Sequence, residues 1–280
     1  MAKKALLIGI NRYQIPGSDL RGCVNDVKNL AAALVEFYGF AKADIETLTD
    51  VAATKKAMQD GMRKLIKGGR KGDVLVLHYS GHGSNVPDKN GDEADRRDEI
   101  LCPTDLDWKA PLLDDWLRRT LDSARAGVSL NVIMDCCHSG TNTRAIHPPD
   151  APRLERYLPS PWDIMAEESR RKLRGRVETR LRRTAHGKRG PDVVAADLPE
   201  TLITGCRDTQ TSADAHIGGS YNGALTYYLV AAIREARGRL TYRELHERTM
   251  AQLQKGDFDQ VPQLEGRKTR LDEPFLSPEA

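Results

Sequence analysis

Four short apolar runs, each stopped abruptly by a polar turn containing glycine, constrain this 280-residue chain more than any other feature. They are Ala5–Ile10, Val74–Tyr79, Leu130–Met134 and Thr201–Thr204. Runs of this length between turn signals read as buried strands, and a sheet covered on both faces requires them. Amphipathic helical patterns separate the first three. Val27, Leu30, Ala31, Leu34 and Phe37 recur at helical spacing before a C-capping Gly39, and Ala57, Met58, Met62, Leu65 and Ile66 do so before Gly68-Gly69. A third helix is expected over 112–126, and Ile45–Leu48 reads as a short strand. The alternation places the chain in the α/β class, with a mostly parallel central sheet flanked by helices. In such sheets chemistry collects just past the carboxyl ends of the strands.

Two of those ends carry reactive groups. The run at 74–79 leads into Ser80-Gly81-His82-Gly83, and the run at 130–134 into Asp135-Cys136-Cys137-His138-Ser139-Gly140. If both strands are parallel neighbours, about 4.8 Å apart, the imidazole and a thiol converge on one edge. A cysteine nucleophile needs such a base, because at neutral pH only a few per cent of an ordinary thiol is thiolate. The glycines beside His82 are expected to free the loop to place the ring. The backbone N–H groups of Gly83 and Cys137 are the natural donors to a developing oxyanion. His138 is the rival base, but it adjoins Cys137 and is poorly placed to face the same reacting atom. Either element alone would read as a core thiol or a loop histidine. Their coincidence after two strands speaks for a Cys-His site.

The five cysteines, Cys23, Cys102, Cys136, Cys137 and Cys206, are odd in number and scattered, which argues against a disulfide framework. Their spacing offers no tetrahedral zinc site. The chain enters its first strand at once, with no secretory signal pattern and no apolar run long enough to span a membrane. The expectation is a cytoplasmic protein with reduced thiols. A hairpin is expected near Asn90-Gly91. From 141 to about 196 the periodicity is lost among prolines, and residues 170–190 hold ten Lys and Arg against Glu178. That stretch is locally +9, so the rest of a chain of net charge +3 is −6. It lacks the aromatics on which bases stack, so no nucleic acid partner is expected. Order returns at 201, with helices over 223–237 and 241–254 and a last edge strand at 261–264.

These motifs resemble the metacaspases, caspase-like cysteine peptidases. His78-Tyr79-Ser80-Gly81-His82-Gly83, Asp135 to Gly140, Leu20-Arg21-Gly22-Cys23-Val24-Asn25-Asp26 and the block 205–214 (Gly-Cys-Arg-Asp-Thr-Gln-Thr-Ser-Ala-Asp) all match blocks of that family. His82 lies 55 residues before Cys137, close to the caspase spacing of roughly 50. The resemblance implies one caspase-like sandwich domain over 1–280: a large-subunit-like region (1–140), a Pro- and Arg-rich linker (141–196) and a small-subunit-like region (197–280). It implies that Cys137, rather than Cys136, is the nucleophile, with His82 its partner. It implies an S1 pocket lined by Asp26, Asp135, Cys23 and Ser80. Two carboxylates there suit a P1 Arg or Lys of a protein or peptide substrate and repel a P1 Asp. Asp26 also reads as an acid favoured at a helix N-terminus. The linker would be a self-processing segment, cut within 170–190. A calcium site is implied on acids matching Asp98, Asp114 and Asp115. The family's further acid has no match in Thr141–Arg144, which points to weak calcium binding or calcium independence; the Cys-His chemistry itself requires no cofactor. A monomer of the prodomain-less, prokaryotic type is expected. The alternative is a non-proteolytic caspase-like scaffold that binds partners through the same cleft.

Overall fold

The computed structural model describes residues 1–88, 96–137, 153–166, 193–195, 198–207 and 210–278. Its centre is a seven-stranded sheet in the order β2-β1-β3-β7-β10-β13-β9. The strands are β1 (Lys3–Gly9), β2 (Ile45–Thr49), β3 (Val74–Ser80), β7 (Ser129–Asp135), β9 (Val193–Ala195), β10 (Glu200–Thr204) and β13 (Gln263–Gly266). The five from β2 to β10 run parallel, and β13 is antiparallel to β10. The four apolar runs are therefore four neighbouring strands. β13 is no edge strand as expected, because β9 pairs outside it.

Alternate residues of each strand feed opposite faces. Leu6, Ile8, Leu75, Leu77, Leu130 and Val132 pack on Met58, Met62, Leu65 and Ile66 of α2 (Lys55–Lys67). Ala5, Leu7, Val74, Val76 and Ile133 pack on α1 (Cys23–Tyr38), α5 (Ala224–Glu235) and α6 (Tyr242–Lys255). The result is a three-layer sandwich of the caspase-like type. Among the described residues no helix is long and apolar enough to cross a membrane.

Two small sheets flank the carboxyl edge. In one, β4 (Gly83–Pro87) and β5 (Arg97–Leu101) form the expected hairpin, whose turn lies outside the described residues, and β6 (Leu112–Leu113) follows. The helix expected over 112–126 is shorter: β6 takes its start and α3 spans only Asp114–Leu121. In the other, β11 (Ala213–Ile217) pairs with β12 (Ser220–Gly223) and with β8 (Arg153–Glu155). Part of the linker is thus regular: strand β8 was not expected, whereas a short exposed helix within 163–184 was. β8 forms by borrowing hydrogen bonds from β11, which local sequence does not reveal, and residues 161–166 add a helical turn, α4.

Arg118 of α3 ties that helix to β10 through a two-pronged pair, Nη1–Oε1 2.6 Å and Nη2–Oε2 2.8 Å, with the buried Glu200. Removing the guanidinium leaves a carboxylate in the interior with no counter-charge. Arg118→Met is expected to lower unfolding stability by about 2–3 kcal/mol, measured by urea denaturation.

Candidate active site

Strands β3 and β7 are adjacent and parallel, with Ser80 opposite Asp135. His82 and Cys137 each follow two residues later, so the register brings both out at one edge. The His82 loop is fixed by two tyrosines. Its N–H donates to Tyr13 Oη (2.8 Å), and Tyr79 Oη donates to its carbonyl (2.6 Å). Gly81 serves space rather than freedom, since a Cβ there would fall 2.7 Å from Tyr79 Oη. Its φ is not left-handed.

The ring of His82 lies with Nε2 2.8 Å from the Ser18 carbonyl oxygen. A carbonyl only accepts, so Nε2 carries the proton and Nδ1 presents a lone pair. That Nδ1 is buried without a hydrogen-bond partner. Burial lowers the ring's pKa to about 4, against the opposing pull of Ser18. His82 is therefore neutral and equipped as a proton acceptor. Cys137 is 1% exposed. Its Sγ accepts from the Ser212 N–H and lies 3.0 Å from Cys206 Sγ. Burial, then the contact with Cys206, raises the thiol well above its ordinary range. All five cysteines are free. Cys136 sits in the core.

The largest feature of the site comes from the linker. Arg156 is fully buried and ends among three carboxylates. Nη2 is 2.7 Å from Asp26 Oδ2 and 3.3 Å from Asp214 Oδ1. Nη1 is 2.8 Å from Ser80 Oγ, 3.0 Å from the Asp135 carbonyl oxygen and 3.2 Å from Asp135 Oδ2. The Arg156 carbonyl oxygen accepts from the N–H groups of Gly83 (3.0 Å) and Cys137 (3.2 Å).

Each acid is held in turn. Ser80 Oγ donates to Asp26 Oδ2 (2.7 Å), as does the Gly223 N–H (3.1 Å). Asp135 receives Ser212 Oγ (2.7 Å), Thr226 N–H (2.9 Å) and Thr226 Oγ1 (2.8 Å). Asp214 receives the N–H groups of Arg21 (2.7 Å) and Gly22 (2.8 Å). A Cβ at Gly223 would lie 2.4 Å from both Arg156 Nη1 and Asp135 Oδ2, so glycine there leaves the room for the guanidinium. Burial pushes the Asp26 carboxyl up to about 7, with Arg156 pulling it down and Asp135 pushing it further up.

All of the expected pocket residues meet here: Asp26, Asp135 and Ser80 touch the guanidinium, and Cys23 is buried against the same charges. Sequence reasoning missed Asp214, although it closes the quoted block 205–214. It also missed Ser18, Ser212 and Cys206 around the two reactive groups. Arg156 was one arginine among many in a proline-rich stretch, with no signal to single it out. His138, Gly140 and the stretch 170–190 lie outside the described residues.

The acids expected to hold calcium lie on adjacent elements, β5 and the start of α3 just after β6, which pairs with β5. Asp98 sits buried in β5, Asp114 and Asp115 open α3, and Asp115 pairs with Arg119 at 3.3 Å. Among the described residues no group of three or more His, Cys, Asp or Glu could hold a metal ion.

A thiol and a histidine, each two residues past the end of one of two adjacent parallel strands, is an arrangement that suits the caspase-like α/β class. The family model for the metacaspase, peptidase C14 domain matches residues 3–145. Metacaspase-1 of Pyricularia oryzae is 36% identical over 291 residues, covering 94% of this chain and 71% of the relative. Metacaspase-1A of Aspergillus fumigatus is 34% identical over 257 residues, covering 83% of this chain and 61% of the relative. The crystal structure of protein GSU0716 from Geobacter sulfurreducens superposes with a TM-score of 0.70 at 28% identity, over 100% of both chains. The chain belongs to the metacaspase family.

The buried rings set a pH dependence. His82 and His78 both fall to about 4, burial being the main cause in each. Unfolded, they titrate near 6.5, so between those values the unfolded chain binds two more protons and stability falls as pH is lowered. Asp26 acts in the opposite sense, its folded value of about 7 lying above the ordinary 3.8. Two rings outweigh one carboxyl. Unfolding free energy from urea titrations is expected to drop between pH 6.5 and pH 4.5, and His78→Gln to flatten that slope.

Proposed function

We propose that this chain is a cysteine endopeptidase that cleaves after Arg, and less well after Lys, through Cys137 and His82. One observation carries the reading. An arginine side chain fills a socket of three carboxylates while its own carbonyl oxygen accepts from the Gly83 and Cys137 N–H groups. This is the geometry a P1 residue would need. Bound so, the carbonyl is polarised, and both donors strengthen as the oxygen becomes an oxyanion.

In the reaction His82 Nδ1 takes the thiol proton as Cys137 Sγ attacks the carbonyl carbon. The tetrahedral oxyanion rests on the two N–H groups. Its collapse breaks the C–N bond, and His82 returns the proton to the leaving amine. Water, deprotonated by the same ring, then hydrolyses the thioester and restores the thiol.

The preference for Arg over Lys follows from the fork. The two Nη atoms serve different acids, Nη2 reaching Asp26 and Asp214 while Nη1 reaches Asp135 and Ser80. A lysine has one shorter-reaching nitrogen and would leave at least one buried carboxylate unmet. Neutral or acidic P1 residues would leave all three.

A fluorogenic P1-Arg peptide is expected to be hydrolysed, with kcat falling at least ~1,000-fold in Cys137→Ala and little changed in Cys136→Ala. The matched P1-Lys peptide is expected to give a kcat/KM lower by about 10-fold or more. Asp135→Ala should raise KM for the P1-Arg peptide, and full activity in that variant would remove the acidic socket from the reading. A chain with no turnover would leave the partner-binding scaffold instead.

A further inference from the structure

We propose that Arg156–Tyr157 is the bond at which this chain cuts itself, and that until it is cut residues 153–158 occupy the cleft as a tethered substrate. The proposal rests on the P1-Arg reading above and adds to it the bond and its regulation.

The segment is gripped on both sides of that bond. Upstream, β8 lies antiparallel on β11 with Glu155 opposite Ala213, Leu154 opposite Asp214 and Arg153 opposite Ala215. The Arg156 N–H then donates to the Ser212 carbonyl (2.9 Å), which continues the ladder up to the P1 position. Arg153 stacks over Phe258, 4.3 Å from the ring centre. Downstream, the chain crosses to β4. Tyr157 bridges to Gly83, the Leu158 N–H donates to the Gly83 carbonyl (2.9 Å), and Ser84 Oγ donates to the Leu158 carbonyl (2.5 Å). The Tyr157 hydroxyl is anchored on Asp163 (2.8 Å), which is also paired with Arg97 (2.6 Å). Adding a strand to an exposed edge, with side chains in pockets, is how peptides are commonly captured. Here the captured peptide belongs to the same chain.

The complex is substrate-like but at rest. Cys137 Sγ is turned to the Ser212 N–H and to Cys206, and thiol and imidazole are both neutral. Reaction needs Sγ to leave the Ser212 N–H and approach the Arg156 carbonyl carbon. The thiol proton passes to His82 Nδ1, an S–C bond forms, and the Arg156–Tyr157 C–N bond breaks as the proton moves to the Tyr157 amine. One water then hydrolyses the thioester to the Arg156 carboxylate. Cutting turns a segment fixed at both ends into a chain end that other peptides can displace. Uncut, it competes at an effective concentration on the order of millimolar.

The full-length protein decides this, incubated over a 100-fold (~) range of concentration, with and without calcium, while fragments are identified by mass and N-terminal sequencing. The expected product begins at Tyr157 and forms at a first-order rate independent of concentration. Its appearance should coincide with the end of a lag in P1-Arg peptide hydrolysis. Arg156→Gln is expected not to be cut there and to hydrolyse the peptide without a lag, at an initial rate raised at least ~10-fold. Arg156→Lys should be cut more slowly, and Cys137→Ala should stay intact. The free hexapeptide Arg-Leu-Glu-Arg-Tyr-Leu, given to Arg156→Gln, should be cut between its second Arg and Tyr. A wild-type chain that stays intact while hydrolysing the peptide at full rate overturns the proposal and leaves the P1-Arg reading standing. So does a first cut elsewhere, with 156–157 left whole. If no form hydrolyses a P1-Arg peptide, both fail. Should Arg156→Gln not fold, the wild-type fragment map and the lysine variant still decide.

Discussion

The guanidinium of Arg156 among Asp26, Asp135 and Asp214 is the interaction on which the rest of the site depends. Three carboxylates enclosed together repel one another and lose their water, a cost of several kcal/mol per ion unless a cation and fixed donors compensate. The protein supplies the donors from its own backbone and hydroxyls: Gly22, Arg21, Gly223, Thr226, Ser80 and Ser212. These hold the acids in place but bring no positive charge. Only a guanidinium provides that charge with enough hydrogen-bond donors in one plane to reach all three. The upward displacement of Asp26 to about 7 is first the cost of burying a carboxylate away from water, which Arg156 offsets in part and the neighbouring Asp135 adds to.

The socket is also a joint between distant parts of the chain. Asp26 comes from the first turn of α1, Ser80 and Asp135 from the ends of β3 and β7, and Asp214 from β11. None can form the pocket alone. Asp135 shows the economy of the design, because its carboxylate and its backbone carbonyl both meet Arg156, and Cys137 is two residues further on. Binding of the side chain and placement of the carbonyl are thus set by one strand end.

The reactive pair is uncharged in this arrangement, for reasons that lie in burial rather than in the pair itself. Both side chains are buried, which disfavours imidazolium and thiolate alike. The Ser18 carbonyl nonetheless fixes which nitrogen bears the proton, so Nδ1 faces inward with its lone pair free.

Much of this was legible without coordinates. Apolar runs closed by glycine-bearing turns identified β1, β3, β7 and β10, because a strand buried on both faces has no polar positions. The same runs located His82 and Cys137, because chemistry in a parallel sheet lies past the strand ends, and the motif blocks named Asp26, Asp135, Cys23 and Ser80. Shorter-range errors came where neighbours override local preference: α3 lost its first residues to β6, and β13 gained a partner in β9. Arg156, Asp214 and Ser18 were beyond the reach of sequence. Their importance comes from contacts between residues 58 to 130 positions apart, such as Arg156 with Asp214 and with Asp26. The sequence by itself determined the parallel sheet, the family and the position of His82 and Cys137 just past two strand ends, since these rest on periodicity and on short contiguous motifs. Only the tertiary structure decided what fills the cleft, because an arginine becomes a bound side chain rather than a solvated one solely through the charges that folding gathers around it.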